Sequence, residues 1–252
     1  MAYERLSFGR YFRDTSRNYN RSALPTDPPR YREVCYHCSG GFRHLLGVHH
    51  EVNYAVRYQP QRDVIQIHFE CTCGVTDWLA NFEFAAEYYE AIEFEGAPLQ
   101  LRVHSGWAEM YLAIKRIIRS EWQGLHERHP AAETEVIGWS LGSGQAMLCA
   151  QDLNYNFGLR PHVITFGSVK PFKAKRGEEE RLGRYLGTLC QSCRNFADCN
   201  DIVTCMPPFR GCTDIRRVPV SMKKRRFWRL CNPWRYHTCY DDETLYQNLP
   251  ET

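Results

Sequence analysis

The stretch Glu135-Val136-Ile137-Gly138-Trp139-Ser140-Leu141-Gly142-Ser143-Gly144 decides how the rest of the chain is read. A short apolar run with two β-branched residues ends at Gly138, and a small-residue stretch with helical character, Leu141–Leu153, begins directly after Ser140. Strand, sharp turn and helix follow one another around a Gly-x-Ser-x-Gly string, the arrangement of a nucleophile elbow. Such a turn forces its serine into strained backbone angles, and flanking glycines let neighbouring chain approach without a Cβ clash. The hydroxyl then projects above the sheet at a helix N-terminus, where partial positive charge favours a developing anion. The ordinary alternative makes Ser140 a simple helix N-cap; the strand before it and the helix after it favour the elbow.

Outward from this centre the same rhythm continues. Upstream, Trp107–Trp122 carries Met110, Tyr111, Ile114, Ile117, Ile118 and Trp122 at helical spacing, and Leu99–Val103 reads as a short strand. Val52–Tyr58 and Val64–Phe69 read as a hairpin turning at Gln59-Pro60-Gln61, and Phe82–Phe94, with Glu83, Glu87 and Glu90 on one side, as an amphipathic helix. Downstream come a buried-type strand, His162–Phe166, and a polar helix around Glu178–Gly187. Alternating strands and helices predict an α/β fold, a mostly parallel central sheet with helices on both faces. Residues 1–50, rich in Arg, Tyr, Asn and Pro, read as an irregular arm with a short helix near Gly41–His50.

A serine nucleophile needs a histidine to take its proton and a carboxylate to orient that histidine. With an elbow of this kind the chain order is Ser, acid, His. Of ten histidines only His162 and His237 follow Ser140, and His162 opens a buried-type strand, which leaves His237. For the acid, Asp201 is placed at the end of a short strand, where sheets of this class hold functional groups, and is favoured over Asp198 and Asp214.

Lys and Arg total 32 against 29 Asp and Glu, a net charge of +3, too small for a general nucleic-acid coat. The average conceals two opposed segments. Six acids and no base lie between Asp77 and Glu95; eight bases and no acid lie between Arg216 and Arg235. In the basic segment Lys223, Lys224, Arg225 and Arg226 precede Trp228, and cations interleaved with aromatics suit an anionic lipid surface. A solvated face and a nucleic-acid patch are the competing readings, nucleic acid being the least favoured. The longest uncharged stretch, Val136 to Gln151, is interrupted by Gly, Ser and Gln, so no bilayer span is expected. Met1–Arg5 lacks a secretory signal's apolar segment, and the sequence reads as cytoplasmic or peripheral to a membrane. Twelve cysteines include the pairs Cys35/Cys38 and Cys190/Cys193; their separation in the chain is far from a compact zinc site, and packed thiols with no metal are favoured.

Several ordered motifs together resemble the class 3 (fungal-type) lipases of the α/β-hydrolase fold. Val103-His104-Ser105-Gly106-Trp107 is similar to the family's Val-His-x-Gly-Phe, and Gly138–Gly142 stands where the family usually has Gly-His-Ser-Leu-Gly. Ile164–Lys170, Asn200-Asp201-Ile202-Val203 before Pro207-Pro208, and Tyr236-His237 with Tyr240 behind follow in the family's order. Beyond the arm read over residues 1–50, the resemblance implies a hydrolase domain over 51–252 and lipid-ester hydrolysis through Ser140, Asp201 and His237 without a cofactor. It also implies an oxyanion hole from Thr72 and the Leu141 N–H, and a lid bearing Trp78 and Leu79, with Trp139 beside the substrate. The substrate would be a glycerolipid or phospholipid ester. Four positions depart from the pattern: Glu70 for Arg, Cys71 for Gly, Trp139 for His and Ser143 for Gly. The altered oxyanion segment, Phe69-Glu70-Cys71-Thr72, supports a second reading, a non-hydrolytic lipid- or membrane-binding protein on a hydrolase scaffold.

Overall fold

Val64–Phe69 pairs with an antiparallel strand on one side and a parallel strand on the other, and the sheet changes character across it. The computed structural model describes residues 30–37, 49–69, 86–198, 200–208, 211–215, 217–221, 234–238 and 240. The main sheet contains β1 (Arg30–His37), β2 (His49–Gln59), β3 (Val64–Phe69), β6 (Glu133–Trp139), β7 (His162–Phe166), β9 (Ser192–Asp198) and β11 (Arg217–Ser221), in the order β1-β2-β3-β6-β7-β9-β11. From β3 onward every neighbouring pair is parallel; β1 and β2 are antiparallel additions. This is the mostly parallel α/β architecture that the sequence implies.

The edge strand corrects one expectation. Arg30–His37 falls in the stretch read as an irregular arm, yet it pairs with β2 from Arg30↔Val56 to His37↔His49. Tyr31, Val34, Cys35 and Tyr36 supply strand-forming residues that the surrounding Arg and Pro obscure. The short helix expected near Gly41–His50 lies outside the described residues up to position 48, and His49 and His50 open β2.

Side chains alternate across the sheet, so β6 divides its residues between two faces. Thr134, Val136 and Gly138 face two long helices, α1 (Ser105–Arg128) and α2 (Leu141–Phe157); the Trp122 indole of α1 donates to Thr134 Oγ1 at 3.0 Å. Residues Leu141–Leu153 of α2 are buried throughout, and the small residues Gly142, Ser143, Gly144, Ala146 and Ala150 allow close seating. On the other face Glu135 accepts from Gln66 Nε2 at 2.8 Å and from both terminal nitrogens of Arg62, while Arg57 Nε donates to Gln66 Oε1 at 2.8 Å. His68 lies in the same buried layer; burial first, then the Arg57 charge, holds its imidazole well below the usual range and therefore neutral at pH 7.

Where α1 crosses α2, the buried Asp152 carboxylate collects Tyr111 Oη at 2.9 Å, Lys115 Nζ at 3.1 Å and the Arg119 guanidinium. Removing it would take the shared carboxylate away from two cations and a buried phenol. Asp152→Ala is expected to lower stability by about 3 kcal/mol, the low end for a broken buried pair because Lys115 and Arg119 keep some solvent. Urea unfolding with an unchanged m-value would read it; a midpoint equal to wild type would contradict the assignment.

A second, antiparallel sheet holds β4 (Ala86–Phe94), β5 (Ala97–His104), β8 (Phe172–Lys173) and β10 (Cys212–Thr213). Here Phe82–Phe94 is not the amphipathic helix that its glutamates suggest: residues 86–94 are strand β4. A bulge between Tyr88 and Glu90 inserts one residue, so Glu87 and Glu90 fall three apart, as on a helix, where a regular strand would space them by two; Glu83 lies outside the described residues. Glu95 and Gly96, at φ 54° and 71°, close the two-residue hairpin into β5. Helix α3 (Glu179–Thr188) fastens onto that hairpin: Arg184 Nε and Nη2 each reach a Glu95 oxygen at 2.8 Å, and Arg181 donates to the carbonyls of Phe94, Ala97 and Pro98.

Candidate active site

Main-chain turns at the carboxyl ends of β6, β7 and β9 bring the site together. Ser140 follows β6 directly and lies at φ 56°, ψ −122°, a conformation few non-glycine residues adopt. Its N–H donates to Phe166 O of β7 at 2.9 Å, so the turn is held from the adjacent strand. A Cβ at Gly138 would stand 2.7 Å from the Gly142 carbonyl carbon and 2.8 Å from Ser143 Cα; only glycine lets helix α2 start so close above the strand. Ser140 makes no side-chain cap hydrogen bond, which removes the simple N-cap reading. Its Oγ instead lies 2.6 Å from His237 Nε2.

His237 ends a single helical turn, Trp234–His237, and is fully buried. Its Nδ1 lies 2.8 Å from Asp201 Oδ2. The sequence expectation put Asp201 at the end of a strand; β9 stops at Asp198, and Asp201 caps the 3-10 turn Ile202–Cys205, its Oδ1 accepting from the Val203 N–H at 3.0 Å. That capping bond fixes the carboxylate, leaving Oδ2 to face the imidazole. Asp198, the nearest competitor in sequence, uses its Oδ1 on the backbone and side-chain nitrogens of Asn200, at 2.7 and 2.9 Å. Between the strand ends, Gly167 has φ +54° and donates its N–H to Phe196 O at 3.0 Å. A Cβ there would lie 2.8 Å from His237 Cε1 and 3.1 Å from Asp201 Oδ2, so the absence of a side chain makes room for the histidine–carboxylate pair.

Two residues to which the sequence assigns no role of their own, Tyr240 of the histidine motif and Ser143 of the elbow, complete the arrangement. Tyr240 is buried, donates its hydroxyl to Asp201 Oδ2 at 2.8 Å and accepts from the Asp198 N–H at 3.0 Å. Its position three residues after His237 was the available signal. Ser143 Oγ donates to Ser140 O and accepts from the Val169 N–H at 3.1 Å, tying the elbow to the chain after β7. Tyr240→Phe is expected to remove one support of the carboxylate and leave the Asp198 N–H without its acceptor. About 1 kcal/mol of stability should be lost, with kcat reduced about tenfold and KM unchanged. Ester kinetics beside a thermal melt would measure both, and an unaltered kcat would refute the support.

Leu141 is the first residue of α2, where helix geometry leaves the backbone N–H without an intrahelical acceptor. Trp139 is half-buried; its Nε1 donates to His237 O at 3.1 Å and its ring stacks on the imidazole, centroids 5.6 Å apart and planes 27° apart. Thr72, Trp78, Leu79, Lys223, Lys224, Arg225, Arg226, Trp228 and Cys38 lie outside the described residues, as does the Cys35 side chain. Cys190 is buried, which pushes its thiol up to about 12, and Cys193 Sγ donates to Ile215 O at 3.7 Å. Among the described residues no three His, Cys, Asp or Glu side chains gather as a metal site, and no helix is long and apolar enough to cross a membrane.

A parallel sheet whose central strand ends in a strained serine, with an aspartate from the turn after β9 and a histidine from a later helical turn brought to it, defines an α/β-hydrolase. Within that class the chain belongs to the lipase (class 3) family, whose profile matches residues 66–211. Similar solved structures include the triacylglyceride lipase of Rhizomucor miehei (21% identity, 62% of this chain and 56% of that chain, TM-score 0.50). Lipase II from Rhizopus niveus matches at 22% identity over 62% and 56%, with a TM-score of 0.54. A mutant form of MDLA from Penicillium cyclopium matches at 17% over 69% and 61%, with a TM-score of 0.55. The chain thus spans less than two thirds of the length of these structures. No curated protein matched it.

Proposed function

We propose that the chain is a serine carboxylester hydrolase acting on lipid esters. The observation that carries this reading is the hydrogen-bonded series from Ser140 Oγ through His237 to Asp201, at 2.6 and 2.8 Å. Ser140 Oγ attacks the ester carbonyl while His237 Nε2 takes its proton; the imidazolium then protonates the departing alcohol, leaving an acyl-serine. Water, deprotonated by the same nitrogen, attacks the acyl carbonyl and returns Ser140 to its free form. Asp201 orients the ring and offsets the imidazolium charge. The Leu141 N–H and Thr72 receive the oxyanion, each such donor being worth about 3 kcal/mol in the transition state.

The lipid character of the substrate is supported by family membership, and Trp78 and Leu79 are the apolar residues that the resemblance assigns to a lid. Lys223, Lys224, Arg225 and Arg226, with Trp228, favour a phospholipid, an enzyme of lipase or phospholipase A type docking peripherally on an anionic membrane, over a nucleic-acid partner. A fluorophosphonate probe tests the chemistry first, followed by a chain-length series of esters and phospholipids. Labelling at Ser140 with turnover of the esters is the expected result. A chain that neither labels nor turns over is a lipid-binding protein on a hydrolase scaffold, as Glu70 and Cys71 in the oxyanion segment would then explain.

A further inference from the structure

We propose that Trp139 is a positioning residue for His237, tethering the histidine's main chain to the strand end that carries the nucleophile. The proposal rests on the serine-hydrolase reading. His237 stands on one helical turn, Trp234–His237, and so short a helix has little positional stability of its own. The imidazole must nevertheless stay within hydrogen-bond reach of Ser140, because a displacement of about 1 Å costs on the order of a hundredfold in rate. Asp201 Oδ2 and the space left by Gly167 orient the ring; a hold on the main chain has to reach the His237 carbonyl.

Trp139 does. The indole N–H donates to His237 O at 3.1 Å, and the indole ring lies alongside the imidazole at 5.6 Å and 27°. One side chain thus restrains both main chain and ring. Alternation along β6 explains the reach: Gly138 faces α2, so Trp139 points to the opposite side, where His237 comes in. Trp139 and Ser140 are consecutive residues. Nucleophile and tether of the base therefore ride on one backbone segment, and a movement of the elbow carries both.

The test uses Trp139→Phe, which keeps a ring and loses the donor, and Trp139→Leu, which loses both, in the full chain. Hydrolysis of p-nitrophenyl acetate and of longer p-nitrophenyl esters is measured beside the rate at which a small fluorophosphonate labels Ser140. Expected is a fall in kcat of about tenfold for Trp139→Phe and about a hundredfold for Trp139→Leu, by the same factor on every chain length. KM should stay unchanged, and labelling should slow in parallel. A rise in KM that grows with acyl length, with labelling at the wild-type rate, would make Trp139 an acyl contact and overturn the proposal, as would unchanged kinetics in both variants. If Trp139→Leu loses its thermal transition, Trp139→Phe decides. Wild-type protein that does not label overturns the hydrolase reading itself, and this role with it.

Discussion

Ser140→Ala is expected to lose ester hydrolysis by a factor on the order of 10⁵ or more while keeping the fold. The whole effect follows from one atom. Ser140 Oγ is 2.6 Å from His237 Nε2, and without it the imidazole has no nucleophile to activate. The fold should survive because the contact that holds the elbow is main chain, the Ser140 N–H to Phe166 O. Alanine inherits the same φ of 56°, so the strain is not relieved. Ser140→Gly should be equally inactive yet more stable than the alanine variant, since glycine adopts that angle at little cost and such strain is worth about 1–3 kcal/mol. Activity assays and thermal unfolding of the two variants together separate chemistry from strain. Wild-type turnover by either would end the nucleophile assignment.

Asp201→Asn should cost roughly 10⁴-fold in kcat, the size of effect known when a serine protease loses the corresponding carboxylate. Asp201 accepts three hydrogen bonds, from the Val203 N–H, from His237 Nδ1 and from the Tyr240 hydroxyl. An amide has only one oxygen to offer. If that oxygen keeps the Val203 cap, its NH₂ faces His237 and selects the tautomer with the proton on Nε2, where it cannot accept from Ser140. If it turns to the histidine, the 3-10 turn loses its cap. A drop in kcat with near-wild-type KM and a small loss of stability is therefore the expected pattern. A variant within tenfold of wild type would move the acid role elsewhere, with Asp198 the next carboxylate to replace.

The centre of the site was legible in sequence because its determinants are local. An elbow needs only a strand, glycines and a helix in succession, and the order Ser, acid, His left His237 as the one suitable histidine. Asp201 was chosen by its place near a strand end, and the structure differs only in setting it three residues beyond β9 as the cap of a separate turn. Tyr240 and Ser143 were not legible in this way: a buried tyrosine or serine is identified as a support only when its partners, Asp198 and Asp201 or Val169, are known in space. The glutamate spacing of β4 misled for a different reason. A bulge adds one residue to a two-residue alternation, and the result is locally indistinguishable from a helical step.

The bonds from Ser140 N–H to Phe166 O and from Gly167 N–H to Phe196 O extend the rungs of the central sheet past the last residues of β6 and β7. Reactive groups elsewhere are often carried on segments that fray on their own, so that a protein can lose its chemistry while most of it stays folded. Here the serine's amide is itself a rung between central strands. Opening the elbow therefore means breaking a bond that continues the pairing of β6 with β7. On warming, the nucleophile keeps its geometry until those strands part, and a loss of activity below the melting temperature would come from the helical turn that carries His237.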